Sequence, residues 1–219
     1  MELITYKELR ELSYMGANVL HPDSIFPVRK NDIPIHIRNT FNPQAKGTMI
    51  VSSKKFFSGA YERKESTVTG IAGKKHFIAI NIEKSMMNNE LGFARKVLEV
   101  IEKNGLGIEH MPSGIDTLSV VIDGSNHDED ALERIVEGIK KVCQPDTIDV
   151  ERNLALIAVV GHGMSRKKGT AQKVCNSLYE ADVNIRMIDQ GSSELNIIIG
   201  VENKDYEKAI SALYKEFLS

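Results

Sequence analysis

Two short loops, each followed by a helix-like pattern, carry the residues best suited to chemistry in this chain of 219 residues. One of them, residues 161–168, begins Gly-His-Gly and ends Arg-Lys-Lys. Glycines and cations before a helix are typical of a phosphate-binding loop, in which backbone N–H groups hold the anion. The sixth position of a GxGxxG pattern would be Arg166, however, and no Walker GK[ST] element is present. A loop that needs glycine for a tight turn is therefore favoured over a nucleotide site.

The other loop, residues 85–91, runs into Gly92 and Phe93. A small amino acid bound there could have its carboxylate held by backbone N–H groups at the helix N-terminus, and glycine would allow the close approach. Its side chain would then point at the neighbouring strand. This loop is the better candidate for a binding site.

Other side chains indicate no catalytic or metal centre. The six histidines show no ligand spacing with Cys143 and Cys175, so no metal site is predicted. The acidic run 128–130 is typical of a helix N-terminus, and no pair of carboxylates indicates general acid/base chemistry. The absence of CxxC spacing predicts buried thiols in a reducing compartment.

Charge and hydropathy exclude further classes of function. The 28 basic and 30 acidic residues give a net charge of −2, so no overall field favours nucleic acid or anionic lipid. The longest apolar run, 154–160, is too short to cross a bilayer. The first residues do not have the pattern of a signal peptide, which predicts a cytoplasmic protein.

An internal repeat shows which elements position the two loops. Residues 80–122 align with residues 157–199 at a constant offset of 77. Each copy reads as an alternating strand, a glycine-containing loop, an amphipathic helix and two further strands, the first of which contains Ile108 or Ile185. A second helix follows in each copy. The two candidate loops therefore occupy corresponding positions in two similar units.

The copies differ in how they end. In the first copy, the strand 147–150 completes a βαββαβ unit, whereas the second copy stops at Ser219 without a last strand. A sheet that lacks one strand exposes an edge, so we expect a strand from elsewhere to complete it. The β-rich segment 67–72 is available. We therefore predict that the first unit is inserted into the second, and two independent tandem domains remain the alternative.

The chain before this region has a different composition. Four of the six prolines precede residue 66, and the change occurs near the charged run 62–65. Thr5 and Glu8 predict a capping box for a helix that ends near Gly16, and residues 33–37 predict a strand. A piece of this size would bury little surface by itself, so it is expected to be the end of a larger domain.

Two sets of residues carry a resemblance to a known family. The paired units resemble ACT domains, and the upstream elements GA-x-VLHP within 13–22 and IP-x-x-x-RNTF at 33–41 resemble the end of the aspartate kinase catalytic domain. The resemblance implies an α+β fold with two ferredoxin-like βαββαβ (ACT) units, preceded by a remnant of an α/β amino-acid kinase domain. The predicted domains are residues 1–66 for the kinase remnant, 76–150 for the first ACT unit, and 67–73 with 154–219 for the second.

The resemblance also implies a function. Aspartate kinases transfer the γ-phosphoryl group of ATP, with Mg, to the β-carboxylate of aspartate, and an end-product amino acid inhibits them. The glycine-rich, lysine-containing strand that handles phosphate has no counterpart here, so this C-terminal fragment is expected to be inactive alone. Asn18 stands where the family has a lysine near the nucleotide, which puts a nucleotide contact there in doubt. The alternative is a stand-alone amino-acid-binding module that regulates another enzyme.

The same resemblance implies that the effector is an amino acid, with lysine as the first candidate and threonine as the second. It implies that the effector binds the first ACT unit at an interface between two subunits of a homodimer. The positions that match the family's effector contacts are Met87, Gly92, Phe93, Ala94, Ile108 and Glu109. The family commonly has aspartate where this chain has Glu109, so a carboxylate that can pair with a lysine ammonium is retained. Phe93, Ala94 and Ile108 would equally suit an ordinary core.

Overall fold

The computed structural model describes residues 2–17, 20, 22–61, 66–125 and 129–219, without the side chains of residues 22, 23 and 166. It contains two compact units. The split unit comprises Met1–Lys74 and Leu156–Ser219, and the continuous unit comprises Lys75–Ala155. Asn18, the run 62–65 and Asp128, to which the sequence assigned roles, lie outside the described residues.

The N-terminal part of the split unit is a small α/β assembly. Its elements are β1 (Leu3–Thr5), α1 (Tyr6–Tyr14), α2 (Pro22–Lys30), β2 (Ile35–Ile37), β3 (Thr48–Val51) and α3 (Ser53–Phe57). The sheet order is β1-β3-β2, with β1 parallel and β2 antiparallel to β3. Thr5 caps α1, and the predicted capping box with Glu8 is confirmed. The short helices α2 and α3 were not predicted, because Pro27 lies inside one and the other has only five residues.

The continuous unit places two helices on a three-stranded sheet. Its elements are parts of β4 (Gly70–Glu83) and β6 (Thr147–Val160), together with α4 (Phe93–Lys103), β5 (Thr117–Asp123) and α5 (Glu129–Cys143). The strand order is β5-β4-β6, and β4 is antiparallel to β5. Alternate side chains of β4 and the apolar faces of both helices form one core. This packing fixes the loop before α4.

The C-terminal part of the split unit repeats this pattern. Its remaining elements are α6 (Thr170–Glu180), β7 (Met187–Asp189), β8 (Asn196–Glu202) and α7 (Tyr206–Phe217). The strand order is β4-β6-β8-β7, to which β4 contributes its first residues and β6 its last. The Thr69 N–H donates to the Val160 carbonyl oxygen at 2.7 Å. The predicted α+β class is thus confirmed, and the described residues form two sheets.

Five strand predictions need correction. Segments 67–72 and 78–82 belong to the single strand β4 or lead into it, and segments 147–150 and 154–160 are both part of β6. Each long strand contains a residue with positive φ, His76 (+70°) or Asn153 (+62°). The side-chain alternation breaks there while strand pairing continues, so the pattern resembled two strands. The strand predicted at Ile108 is absent, since the described residues 108–113 make only isolated bridges.

Candidate functional site

The loop between β4 and α4 is held at its start by a carboxylate and has no side-chain cap at its end. At its start, the Ser85 N–H and Oγ donate to Asp146 Oδ2 at 2.6 and 2.7 Å. These two hydrogen bonds lower the pKa of the Asp146 carboxyl below its ordinary value. At its end, Gly92 adopts φ +75° as the N-cap of α4 and offers no side-chain cap. The Phe93 N–H already donates to the Glu90 carbonyl oxygen at 3.2 Å, so a ligand that accepts hydrogen bonds would have to use the other N–H groups of the first turn.

A cavity of about 330 Å³ lies beside this helix N-terminus. Its lining residues are Met87, Asn88, Glu90, Gly92, Phe93, Ala94, Arg95, Met111, Ser113, Gly114, Ile115 and Leu118. Four of the six residues predicted for the binding site are among them. The structure thus brings Met87, Gly92, Phe93 and Ala94 together in one concave surface.

Ile108 and Glu109 do not line this cavity. The Glu109 N–H donates to the Val121 carbonyl oxygen at 2.9 Å, and its side chain is half-buried. Ile108 is 37% exposed, so it is not the ordinary core residue that its pattern allowed. Phe93 is 4% exposed and belongs both to the core and to the cavity wall. The contribution of Glu109 to a binding site stays a prediction.

Glu90 is a cavity residue that the sequence analysis did not single out. Its Oε2 lies 2.5 Å from Lys84 Nζ, and its Oε1 lies 2.6 Å from Lys96 Nζ. Lys84 Nζ also lies 5.5 Å from the centroid of the Phe93 ring. The two lysines are six residues from Glu90 in opposite directions, a spacing that matches no helical or strand pairing rule. Only the fold of the loop brings these charges together.

The contacts of Glu90 with Lys84 and Lys96 predict that the stability of the protein depends on pH. Hydrogen bonds from Lys84 and then Lys96 lower the pKa of the Glu90 carboxyl in the folded protein. A carboxyl with a lowered folded pKa adds stability above its unfolded pKa, and this stability is lost as the pH falls through the folded pKa. The Glu90→Gln variant should therefore lose less thermal stability than the parent between about pH 6 and pH 3. Parallel melting curves across this range would contradict the pairing.

The loop between β6 and α6 corresponds to the first loop but has different surroundings. A Cβ atom on Gly161 would lie 2.4 Å from the Thr67 carbonyl oxygen, and one on Gly163 would lie 2.3 Å from the Ser66 carbonyl oxygen. Gly163 has an ordinary φ of −69°. The loop does turn here, since the Met164 N–H donates to the Gly161 carbonyl oxygen at 3.3 Å, and both glycines are also required for the close approach of another backbone segment.

Two further kinds of feature concern the described part of the chain. Within it, no group of three histidine, cysteine, aspartate or glutamate side chains is arranged to hold a metal ion. None of its helices is long and apolar enough to cross a membrane.

Comparison with known proteins shows which proteins the chain is similar to. Residues 157–217 match the ACT domain family. Aspartokinase 3 of Bacillus subtilis is 40% identical over 216 residues, which cover 99% of this chain and 46% of that protein. The crystal structure of Clostridium acetobutylicum aspartate kinase has 51% identity and a TM-score of 0.91, and it covers 99% of this chain and 49% of its own. The chain thus spans about half the length of these relatives.

A more distant structure shares the fold. Escherichia coli aspartokinase III in complex with lysine and aspartate has 20% identity and a TM-score of 0.74 over 100% of this chain and 46% of its own. The repeat, the α+β fold and the similarity along almost the whole chain agree with one another. The resemblance read from the sequence is confirmed: the chain matches aspartokinases along almost its whole length and corresponds to their C-terminal regulatory region.

Proposed function

We propose that this region binds an end-product amino acid, lysine first and threonine second, and thereby inhibits an aspartate kinase. The whole protein would phosphorylate the β-carboxylate of aspartate with ATP and Mg, in the cytoplasm. The observation that carries the proposal is the cavity at the uncapped N-terminus of α4. A volume of about 330 Å³ is at the lower end of the range for small-molecule pockets. The effector's carboxylate would accept hydrogen bonds from the first turn of α4.

The charges around the cavity bear on which carboxylate would recognise the ammonium group of lysine. Glu90 lines the cavity, but Lys84 and Lys96 already contact both of its oxygens. An incoming ammonium would have to compete with these two cations. Glu109 lies outside the lining, so it can complete the site only if a second subunit covers this face. The proposed effector site and the proposed homodimer therefore depend on each other.

We propose the same domain organisation as the sequence predicts. Residues 76–150 would form the first ACT unit, residues 67–73 with 154–219 the second, and residues 1–66 the end of a kinase domain. This division is supported by a hydrogen bond from the Thr69 N–H to the carbonyl oxygen of Val160, the last residue of β6. A stand-alone module for another enzyme is disfavoured, because the similarity to aspartokinases covers 99% of the chain.

Calorimetric titration with lysine tests the proposal, with Glu109→Gln as the probing variant. This change keeps the size and hydrogen-bonding capacity of the side chain but removes its charge. A hydrogen bond to a charged group contributes roughly 1.5–3 kcal/mol, so lysine affinity should fall by about tenfold or more. Threonine has no side-chain ammonium, so its affinity should change little.

Glu90→Gln is the matched control, since it removes a carboxylate of the cavity that the two lysines already neutralise. It should weaken lysine binding less than Glu109→Gln does. Equal lysine affinity of the parent and the Glu109→Gln variant would refute the assigned ammonium partner. Failure of the parent chain to bind any of the twenty amino acids would refute the sensing function itself.

A further inference from the structure

A buried carboxylate joins helix α1 to the second of the two corresponding loops. Glu8 on α1 has no exposed surface. Its Oε2 accepts hydrogen bonds from the N–H and Oγ1 of Thr5 at 2.8 and 2.9 Å. Its Oε1 accepts from Thr69 Oγ1 at 2.6 Å and from the His162 N–H at 3.1 Å. Four donors thus converge on two oxygens, which is the acceptor capacity of one carboxylate.

The same loop position binds a carboxylate in the continuous unit, but that carboxylate has a different origin. The offset of 77 relates His162 to Ser85, whose N–H donates to Asp146 Oδ2 at 2.6 Å. Asp146 directly precedes the strand β6 that pairs with β4 of its own unit. In the continuous unit the loop is therefore fastened to a neighbouring strand by that strand's own flanking residue.

The backbone identifies Thr69 as the counterpart of Asp146. The Asp146 N–H donates to the Glu83 carbonyl oxygen at 2.8 Å, and the Thr69 N–H donates to the Val160 carbonyl oxygen at 2.7 Å. Glu83 and Val160 are themselves related by the offset of 77. Threonine has no carboxylate, and at this position its hydroxyl donates to Glu8 instead. Glu8 thus occupies the place that the Asp146 side chain has in the other unit.

Further contacts surround the hydrogen bonds that link Glu8 to Thr69 and His162, an arrangement that we call the joint. Thr5 Oγ1 lies 3.0 Å from His162 Nε2, and the His162 ring packs near the rings of Phe56 and Phe57. The glycine at 161 lets residues 67–69 approach the loop at backbone distance. All of these residues belong to the split unit.

We propose that Glu8 is a positioning residue that fastens the N-terminal segment to the loop at 161–163 of the second ACT unit, in place of the aspartate that fastens the first. The segment supplying Glu8 resembles the end of the kinase domain, so this joint ties that domain directly to a regulatory loop. A shift of the loop would act on α1 through a buried hydrogen-bonded carboxylate. The loop is a point of coupling between the two regions rather than a second site for a free amino acid.

A double-mutant cycle between Glu8 and Thr69 tests the joint, with amide hydrogen exchange at His162 as the readout. Glu8→Ala removes the acceptor, so His162 exchange should accelerate by about tenfold or more. Adding Thr69→Asp to that variant recreates the arrangement of Asp146 and should restore most of the protection. In the parent, Thr69→Asp places a second carboxylate against Glu8 and should accelerate exchange. The same substitution thus has opposite effects in the two backgrounds.

Glu8→Gln provides a second background of nearly native size if Glu8→Ala does not fold. Glu11→Gln is the control on the same helix, because the Glu11 carboxylate accepts a hydrogen bond from Asn196 Nδ2, which belongs to β8 and not to the loop. It should leave His162 exchange unchanged. A Thr69→Asp effect of the same sign in both backgrounds would show that position 69 is not equivalent to Asp146, and it would overturn the proposal.

The regulatory consequence can be measured in the full-length enzyme, and this part rests on the proposed function. Glu8→Gln should leave lysine affinity within about threefold of the parent and lower the maximal inhibition reached at saturating lysine by about half or more. If lysine affinity falls as much as inhibition does, Glu8 only stabilises the fold and does not couple the two regions. If the parent does not bind lysine, the proposed function fails, and the exchange experiment still decides whether the joint exists.

Discussion

Replacing Phe93 by alanine should lower the free energy of unfolding of the continuous unit by about 3–5 kcal/mol, because a buried aromatic side chain is removed from a packed core. Phe93 contacts the cluster formed by β4, α4 and α5 and is 4% exposed. Its loss also enlarges the cavity beside α4 and removes the ring that faces Lys84 Nζ. We therefore expect weaker effector binding together with lower stability.

Native-state hydrogen exchange of the α4 and α5 amides measures this loss within the continuous unit. Phe41→Ala is the matched control, since Phe41 is 98% exposed and its removal should change stability by no more than about 0.5 kcal/mol. A Phe93→Ala variant as stable as the Phe41→Ala variant would show that the core around α4 is not packed as described.

Replacing Gly161 by alanine should destabilise the split unit by about 1–3 kcal/mol or more, because overpacking forces backbone shifts. The added methyl group would lie 2.4 Å from the Thr67 carbonyl oxygen, 2.8 Å from the Thr69 nitrogen and 2.9 Å from the Val68 Cα. All three are backbone atoms, so no side-chain rotation can relieve the contact. The substitution should therefore separate segment 67–69 from the loop.

Gly191→Ala is the control for this substitution, because nothing lies within 4 Å of the position of its added methyl group. Glycine to alanine at a compatible position stabilises by roughly 0.4–1 kcal/mol through the unfolded state. Thermal unfolding of the two variants should thus shift in opposite directions. Equal melting temperatures would show that the segment 67–69 does not lie against the loop in solution.

Features that depend on local spacing were predictable from the order of the residues. The offset of 77 located both units, and apolar periodicity located α4, α5, α6 and α7, since each buries one face. The loop before α4 was predictable from its glycine at a helix N-terminus, and the family resemblance pointed to the four cavity residues. The ends of the strands were harder to predict, because the positive φ at His76 and Asn153 interrupts the side-chain alternation without interrupting the strand.

Features that depend on distant residues were decided only by the tertiary structure. The position of Ile108 and Glu109 outside the cavity, and the pairing of Glu90 with Lys84 and Lys96, follow from loop geometry that no residue pattern encodes. The glycines at 161 and 163 have the spacing of a phosphate loop. The structure requires glycine there because a backbone segment almost 100 residues earlier in the chain lies against them.

The side chain of Glu8 makes one contact that the sequence predicts and two that only the tertiary structure reveals. Its Oε2 completes the capping box with Thr5, a contact over three residues that the sequence predicts because helix geometry fixes it. Its Oε1 binds Thr69 and His162, which are 61 and 154 residues away. Those partners are brought close only when the strands β4 and β6 pair and the loop closes over α1, because contacts of that separation depend on the packing of whole elements.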